Sequence, residues 1–307
     1  MSAGHDHHHH GHFDAPAEGM NRSFALAVGL NLAFVVAETV AGLASGSMAL
    51  LADAGHNLSD VLSLVLAWGA NVLAARPPSP RYTYGFKSSS ILAAIANAAL
   101  LWAAIGAILV ETIRRFTDPA PIAGGTMIIV AAIGIAINAL SALLFARGSK
   151  SDLNLRAAFI HLMADAAVSA GVVVAGLAIL WTGAAIIDPI TSLVITAVIA
   201  WSSWGLLRDA LRMGMLGVPD RIDLSEVRFF LESRNRVCAV HDLHVWPMST
   251  TETALTAHLV VEGGYPGDSF LHTIAHDLHH RFGIDHPTLQ IETEASGECA
   301  FESDTVI

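Results

Sequence analysis

The sequence SGSMALLADAGHNLSD, residues 45–60, joins a helix breaker to a long apolar segment that contains ionisable side chains. Ser45-Gly46-Ser47 interrupts the apolar pattern, and Met48 begins a stretch that continues to about residue 75. A membrane-spanning helix needs about 20 residues, each rising about 1.5 Å, so this stretch is long enough to cross a bilayer. Residues four apart share one face of a helix, so His56 and Asp60 lie on the same side.

Five other apolar stretches of similar length accompany this one along the chain. With it they make six, at roughly 22–44, 48–75, 88–116, 123–147, 153–182 and 187–215. Segments rich in proline, glycine or serine separate them, at Ser45-Gly46-Ser47, Pro77-Pro78-Ser79-Pro80, Asp118-Pro119-Ala120-Pro121, Gly148-Ser149-Lys150 and Thr182-Gly183. The pattern predicts an α-helical membrane protein whose six-helix transmembrane bundle occupies residues 21–217.

The composition indicates a membrane region followed by a soluble one. Of the 307 residues, 53% are hydrophobic and only 14% are charged, whereas about 25% of the residues in a soluble domain are charged. Charges are sparse between Phe24 and Leu216 and return after Pro219. A soluble protein with a large core is the alternative, but such proteins rarely contain repeated apolar runs of about 20 residues. The formal net charge of −11 argues against nucleic acid as a partner.

The distribution of lysine and arginine predicts the orientation in the membrane. Six spans place both termini on one side, and most basic loop residues fall on that side. They are Arg76, Arg81, Lys87, Arg147, Lys150, Arg156, Arg208, Arg212 and Arg221. Both termini are therefore expected in the cytoplasm, and the short loops favour a bacterial inner membrane. Arg114 and Arg115 are exceptions, with Glu111 and Asp118 as candidate partners.

Both ends of the chain are polar. Residues 1–20 form a tail, expected to be disordered, which contains six histidines and is either an expression tag or a native metal-loading segment. This tail lacks the features of a secretory signal. Residues 295–307 form an acidic tail. The two cysteines, Cys238 and Cys299, make no disulfide framework and are expected in the reducing cytoplasm.

Residues 218–294 show the patterns of a small cytoplasmic domain. Helical patterns cover 223–234 and 268–282, and strand patterns cover 239–246, 254–262 and 288–292. The order αββαβ predicts a small α+β sandwich. His241 and His258 fall on adjacent predicted strands and are expected to be cross-strand neighbours.

A second copy of the His-x-x-x-Asp pattern occurs in the fifth span, at His161 and Asp165. Two such helices facing each other supply two imidazoles and two carboxylates, the number of ligands that a tetrahedral zinc site needs. This set suits Zn²⁺ and to some degree Co²⁺ or Cd²⁺. An aspartate at the centre of a spanning helix costs at least about 2.5–3.5 kcal/mol, and such residues usually serve transport. The alternative is two independent polar pairs that pack helices together.

Other polar residues of the spans give weaker signals. Asp53 lies one turn before Asn57 and is a candidate for the entrance of the site. Three asparagines are expected to hydrogen-bond between helices, namely Asn31, Asn97 and Asn138. The role of Glu38 is left open.

The two His–Asp pairs also suggest how transport is driven. Imidazole titrates near neutral pH, with an ordinary pKa of about 6.5. Metal binding requires neutral histidine and ionised aspartate, so metal and protons compete for these ligands. A site that opens alternately to the two sides of the membrane would then exchange metal for protons.

These motifs resemble those of the cation diffusion facilitator family. The stretch from Ser45 to Asp60 is similar to the family's second-helix signature, and further similar elements are Tyr84-Gly85-Phe86 and His241-Asp242-Leu243-His244-Val245-Trp246. The resemblance covers roughly residues 20–294. It implies a homodimeric zinc/proton antiporter with six helices per subunit and a metallochaperone-like cytoplasmic domain.

The resemblance also implies roles for particular residues. The positions that match the family's transport ligands are His56, Asp60, His161 and Asp165, a set that resembles the zinc-preferring branch. The positions that match its cytoplasmic zinc ligands, which are expected to be regulatory, are His241, His258, His286 and Glu292. Cys299 matches a further ligand position of some relatives, but Glu302 replaces their second cysteine. The loop at 146–152 lacks the histidines of several relatives, so the N-terminal tail is the candidate for metal delivery.

Two other functions remain open from the sequence. A membrane-embedded zinc metalloenzyme is the first, because two histidines and two aspartates can also hold a catalytic metal. A metal sensor or storage protein is the second, although six spans would be superfluous for it. The sequence contains no His-Glu-x-x-His, Gly-x-Ser-x-Gly or phosphate-binding glycine loop, so neither an enzyme nor an ATP-driven pump is expected.

Overall fold

A computed structural model describes residues 18–118, 121–146 and 153–293 of the chain. Six long helices follow one another: α1 (Glu18–Ser45), α2 (Met48–Ala74), α3 (Ser89–Thr117), α4 (Gly124–Ala146), α5 (Leu153–Thr182) and α6 (Ile187–Gly214). Their ends lie within a few residues of the apolar stretches, so the predicted six-helix pattern is confirmed. The histidines of the N-terminal tail, the acidic tail with Cys299, and residues 147–152 lie outside the described residues.

Five helices, α2 to α6, are long and apolar enough within the described residues to cross a membrane, and α1 adds a shorter apolar segment, Asn31–Ser45. Many large apolar side chains of these helices are exposed, for example Val40, Trp181 and Trp201. A soluble protein rarely exposes large apolar patches of this kind. The exposure is what lipid-facing helices require.

The breaker between α1 and α2 ends one helix and begins the next. Gly46 has a φ of 71°, a left-handed conformation that glycine adopts without steric cost. The Ser47 amide donates to the Gly42 carbonyl at 3.0 Å, which satisfies a carbonyl group in the last turn of α1.

The described residues divide into two compact units. The first contains the residues up to Val61 and Ala107–Thr196, and the second contains Leu62–Gly106 and the residues from Ala197 onward. In the first unit α4 packs along α5, and α1 packs against α4. Gly176 of α5 allows the close approach to α4, because a Cβ atom there would lie 2.7 Å from a side-chain carbon of Ile128.

The second unit includes the C-terminal domain, residues 219–293. Its elements are α7 (Leu224–Glu232), β1 (Val237–Pro247), β2 (Thr253–Val261), α8 (Asp268–Phe282) and β3 (His286–Thr293). The sheet order is β1-β2-β3, with β1 antiparallel and β3 parallel to β2. A parallel pair needs a crossover connection, which α8 supplies. The predicted αββαβ order is therefore confirmed.

The core of this domain lies where the two helices cover the sheet. Its most buried members are Val227, Leu231, Leu243, Leu255, Leu259, Ile274, Leu278 and Ile284. Two register shifts interrupt the pairing of β1 with β2, and the second lies beside the histidines: His241 pairs with His258, whereas His244 pairs with Thr256. Because β1 has one more residue than β2 between these pairs, β1 contains a β-bulge there.

Candidate metal centres

The four side chains of the repeated His-x-x-x-Asp pattern lie together in the first unit. Each imidazole contacts a carboxylate of the other helix: His56 Nε2 lies 3.2 Å from Asp165 Oδ1, and His161 Nε2 lies 3.2 Å from Asp60 Oδ2. Within each helix the His–Asp distances are 3.8 and 3.6 Å. The structure thus brings together all four residues of the predicted transport site, and we call this group the membrane tetrad.

Three of the four residues of the membrane tetrad have the spacing of a metal site. Ligand atoms of His56, Asp60 and Asp165 all lie within 4.8 Å of one another. Around tetrahedral zinc, with bonds of about 2.0–2.1 Å, neighbouring ligand atoms lie about 3.3 Å apart. The His161 and Asp60 side chains are 50% and 37% exposed, whereas those of His56 and Asp165 are 15% and 6% exposed. One side of the group is therefore accessible and the other is enclosed.

The N-terminus of α2 is fixed by a carboxylate from α6. Asp188 accepts hydrogen bonds from the backbone amides of Met48 and Ala49, at 2.7 and 3.3 Å, and from the Ser47 hydroxyl at 2.6 Å. The Ser47 hydroxyl oxygen in turn accepts from the Leu50 amide at 3.1 Å. The first three amides of α2 are thus satisfied, and a carboxylate is favoured at the positive end of the helix dipole. This anchor sets the position of the helix that carries His56 and Asp60.

Two buried acids lie beside the membrane tetrad. Asp53 and Glu38 are both fully buried. Asp53 accepts a hydrogen bond from the Ser169 hydroxyl at 2.8 Å, and Glu38 accepts one from the side-chain Nδ2 of Asn57 at 3.1 Å. The prediction that Asp53 lies at the entrance of the site is therefore wrong. Its side chain is buried and contacts Ser169 of α5, which the helical pattern alone does not decide.

Two other polar groups of α3, Asn97 and Glu111, have partners of the kind that the sequence suggested. Asn97 of α3 donates to the Ser63 hydroxyl of α2 at 2.6 Å. Glu111 pairs with Arg115 at 3.2 Å and with Arg114 at 3.7 Å. The exceptional arginines at the end of α3 thus have an acidic partner on their own helix.

A second cluster of ligand-type side chains lies on the sheet of the C-terminal domain. His241 and His258 are directly opposite each other on β1 and β2, as predicted. His241 Nε2 lies 3.1 Å from Glu292 Oε2, and His258 Nδ1 lies 2.7 Å from Glu292 Oε1. The ligand atoms of these three residues fall within 4.8 Å of one another, so the group has the spacing of a metal site. We call it the sheet triad.

His286 does not belong to the sheet triad. It begins β3, six residues before Glu292, and a strand rises about 3.3 Å per residue, which separates the two by about 20 Å. The His286 ring instead makes an edge contact with the Tyr84 ring, with centroids 5.5 Å apart. The sequence could not show which of the two residues lies beside His241 and His258, because that depends on the register between β3 and β2.

Sequence reasoning overlooked Asp242, which contacts the sheet triad through His258. A signal was present in the strand pattern. Val240 and Leu243 are both buried, and two polar residues separate them where strict alternation would place one. Such a break in alternation indicates a β-bulge.

The helical region and the domain that follows it define the class of this protein as a multi-pass integral membrane protein. The chain belongs to the cation efflux family, a family of transporters. The family model for the cation efflux transmembrane domain matches residues 24–213, and the model for the cation efflux protein cytoplasmic domain matches residues 219–294. The resemblance to cation diffusion facilitators is thereby confirmed.

Curated relatives resemble the chain over most of its length. Zinc transporter ZitB of Escherichia coli is 37% identical over 289 residues, covering 93% of this chain and 92% of that protein. The cadmium, cobalt and zinc/H(+)-K(+) antiporter of Bacillus subtilis is 34% identical and covers 91% of both chains. The metal cation efflux system protein CzcD of Cupriavidus metallidurans is 34% identical, covering 95% of this chain and 90% of the relative.

Proposed function

We propose that the protein exports Zn²⁺ from the cytoplasm through the membrane tetrad, by alternating access and in exchange for protons. The observation that carries this proposal is the cross-pairing of two helices, in which each histidine lies 3.2 Å from the aspartate of the other. One ion held by His56, Asp60, His161 and Asp165 is bound equally by α2 and α5. A relative movement of these helices therefore changes the coordination of the ion directly.

The chemistry of the tetrad favours zinc as the substrate. Two imidazoles and two carboxylates suit Zn²⁺ in tetrahedral geometry, and Cd²⁺ and Co²⁺ are secondary candidates. The names of the relatives also support zinc as the substrate, since one is a zinc transporter and another is an antiporter of cadmium, cobalt and zinc. Cation efflux requires only that ligands bind and release the ion, so we place the protein among transporters and not among enzymes.

Proton coupling follows from the same contacts. Each imidazole lies within 4 Å of two carboxylates, so a protonated histidine is held by the oxygens that otherwise hold the metal. Zinc binding must displace those protons, and protons must displace zinc on the side where it leaves. A proton gradient directed into the cytoplasm can therefore drive zinc outward.

The remaining parts of the proposal concern the whole protein. The transmembrane region covers residues 21–217, both termini are cytoplasmic, and the membrane is a bacterial inner membrane. The cytoplasmic domain, residues 218–294, binds zinc as a regulatory ligand at His241, His258 and Glu292, and zinc there stabilises a homodimer. A rise in cytoplasmic zinc then biases the transport equilibrium through this domain.

Everted membrane vesicles test the proposal. With a proton gradient of imposed direction, we expect zinc to accumulate inside the vesicles while protons leave, each followed with its own fluorescent indicator. Asp60→Ala and Asp165→Ala should each abolish the accumulation, whereas Asp209→Asn, an exposed carboxyl of α6, should not. Zinc flux without proton counterflow would reject the coupling, and unchanged flux in both aspartate variants would reject the tetrad as the transport site.

A further inference from the structure

Asp242 adopts a backbone conformation that aspartate rarely takes. Its φ is 50°, in the left-handed region, and of the described residues only two others besides glycine, Leu216 and Arg236, have positive φ. Such conformations cost of order 1 kcal/mol or more and concentrate at functional sites. Asp242 lies within the β-bulge between His241 and His244, beside the sheet triad.

The bulge determines which face of the sheet Asp242 occupies. In a regular strand, alternation from buried Val240 would place Asp242 on the core side. The extra residue of the bulge places Leu243, instead of Asp242, on the core side, where it is buried. His241 and Asp242 are then both half-buried and adjacent to each other. The bulge and the left-handed backbone together bring the Asp242 carboxylate to the histidines of the sheet.

The contacts of His258 use both of its ring nitrogens. Nδ1 lies 2.7 Å from Glu292 Oε1, within the sheet triad, and Nε2 lies 3.5 Å from Asp242 Oδ2. The other Asp242 oxygen, Oδ1, lies 3.0 Å from His244 Nε2. His258 is therefore held between two carboxylates, one belonging to the triad and the other outside it.

We propose that Asp242 is a positioning residue for the sheet triad: its carboxylate accepts the Nε2–H of His258 and so leaves Nδ1 as the nitrogen that binds metal. A histidine ligand of a metal commonly donates its other N–H to a carboxylate, which fixes both the tautomer and the orientation of the ring. His244 holds the second oxygen of Asp242 and keeps the carboxylate facing His258. The inference rests on the proposed regulatory zinc site of the cytoplasmic domain.

The test measures zinc binding in the full chain. The parent for all variants carries Asp60→Ala and Asp165→Ala, and serine replaces the six histidines of the N-terminal tail, so that neither the tetrad carboxylates nor the tail contributes to the zinc that is measured. The zinc bound by the sheet triad is the component that disappears in His258→Ala, measured by competition with a chelating indicator. We expect Asp242→Gly to weaken this component about 10–100-fold, the usual effect of losing such a partner.

Two further measurements separate positioning from a purely structural role. Glycine relieves the strain at positive φ. The unfolding temperature of zinc-free Asp242→Gly should therefore equal or exceed that of the zinc-free parent, although the variant binds zinc more weakly. Asp242→Asn keeps an acceptor oxygen and tolerates the left-handed backbone, so it should lose less affinity than the glycine variant.

The outcomes that would overturn the proposal are distinct. Asp242→Gly binding zinc within threefold of the parent would exclude a positioning role for the carboxylate. A loss of affinity accompanied by a lower unfolding temperature in Asp242→Gly would make the role structural. An asparagine variant as weak as the glycine variant would exclude the hydrogen bond as the cause. A parent with no zinc component sensitive to His258→Ala would reject the sheet triad itself, while zinc export through the tetrad would still stand.

Discussion

The Ser169 hydroxyl donates a hydrogen bond to Asp53 Oδ2 beside the membrane tetrad, at 2.8 Å. Asp53 Oδ1 has no hydrogen-bond partner within the described part of the chain, so the contact with Ser169 is an important one for this group. Burying a hydrogen-bond acceptor without a donor is costly, because the group loses its hydrogen bonds to water and forms none in the protein. At the scale of one residue, the neighbourhood of the tetrad depends on such individual contacts.

We expect Ser169→Ala to lower the free energy of unfolding by about 1–3 kcal/mol, because it removes a donor from a buried carboxyl group. Ser203→Ala is the matched control. Ser203 is also buried, but its hydroxyl donates to the Ile199 carbonyl of its own helix at 2.7 Å. Thermal unfolding of the purified proteins in detergent measures the difference, and equal effects of the two substitutions would contradict the prediction.

The residue scale also explains why the tetrad was recognisable. His56 and Asp60 are spaced by one helical turn, and the same spacing recurs at His161 and Asp165. This spacing is a local property that any helix would convert into a shared face. The distances between the two pairs are not local, because they depend on how α2 and α5 pack.

At the scale of the element, α2 is held by groups that are distant in the sequence. Asp188 lies 140 residues after Met48 in the sequence, and its carboxylate accepts a hydrogen bond from the Met48 backbone amide. The adjacent breaker predicted that α2 begins near Met48, but it did not predict which group caps the helix.

We expect Asp188→Ala to destabilise the protein by about 1–3 kcal/mol, because it leaves the Ser47 hydroxyl and two helical amides without their acceptor. Zinc export should fall with it, since α2 carries half of the tetrad. Asp188→Asn retains one acceptor oxygen, so it should lose less stability in thermal unfolding and less zinc uptake in vesicles than the alanine variant. An alanine variant with the stability of the parent would contradict the capping role.

In the C-terminal domain, strand patterns predicted some features of the sheet and not others. Alternation of apolar and polar residues predicted β1 and β2, and it placed His241 and His258 on neighbouring strands. Alternation could not show the parallel register of β3, which brings Glu292 to these histidines and takes His286 away from them. Register depends on the crossover helix α8 and on the packing of its apolar face.

At the scale of the whole molecule, the loop between α2 and α3 contacts the turn between β1 and β2. Lys87 forms an ion pair with Glu252, and Ser88 donates from its hydroxyl to the Met248 carbonyl at 3.2 Å. The Thr250 amide donates to a hydroxyl in the first turn of α3 at 3.1 Å. These contacts join the C-terminal domain to the start of α3.

We expect Lys87→Glu to loosen this contact, because it places two negative charges together. The pair is more than a third exposed at each partner, so its contribution is limited to about 0.2–1 kcal/mol by solvent screening. Hydrogen exchange at residues 248–252 should become faster in Lys87→Glu. The double variant Lys87→Glu, Glu252→Lys should exchange more slowly than the single variant, and an equal rate in both would contradict the ion pair.

The sequence by itself determined the six membrane helices, the αββαβ order and the four residues of the tetrad. These are local properties, since apolar length, residue period and the spacing of one helical turn are present in short segments of the chain. Only the tertiary structure decided that Asp53 is buried, that Asp188 caps α2, that Glu292 and not His286 lies beside His241 and His258, and that a bulge turns Asp242 toward His258. Each of these depends on packing or register between segments that are distant in the sequence, and a short segment does not contain that information.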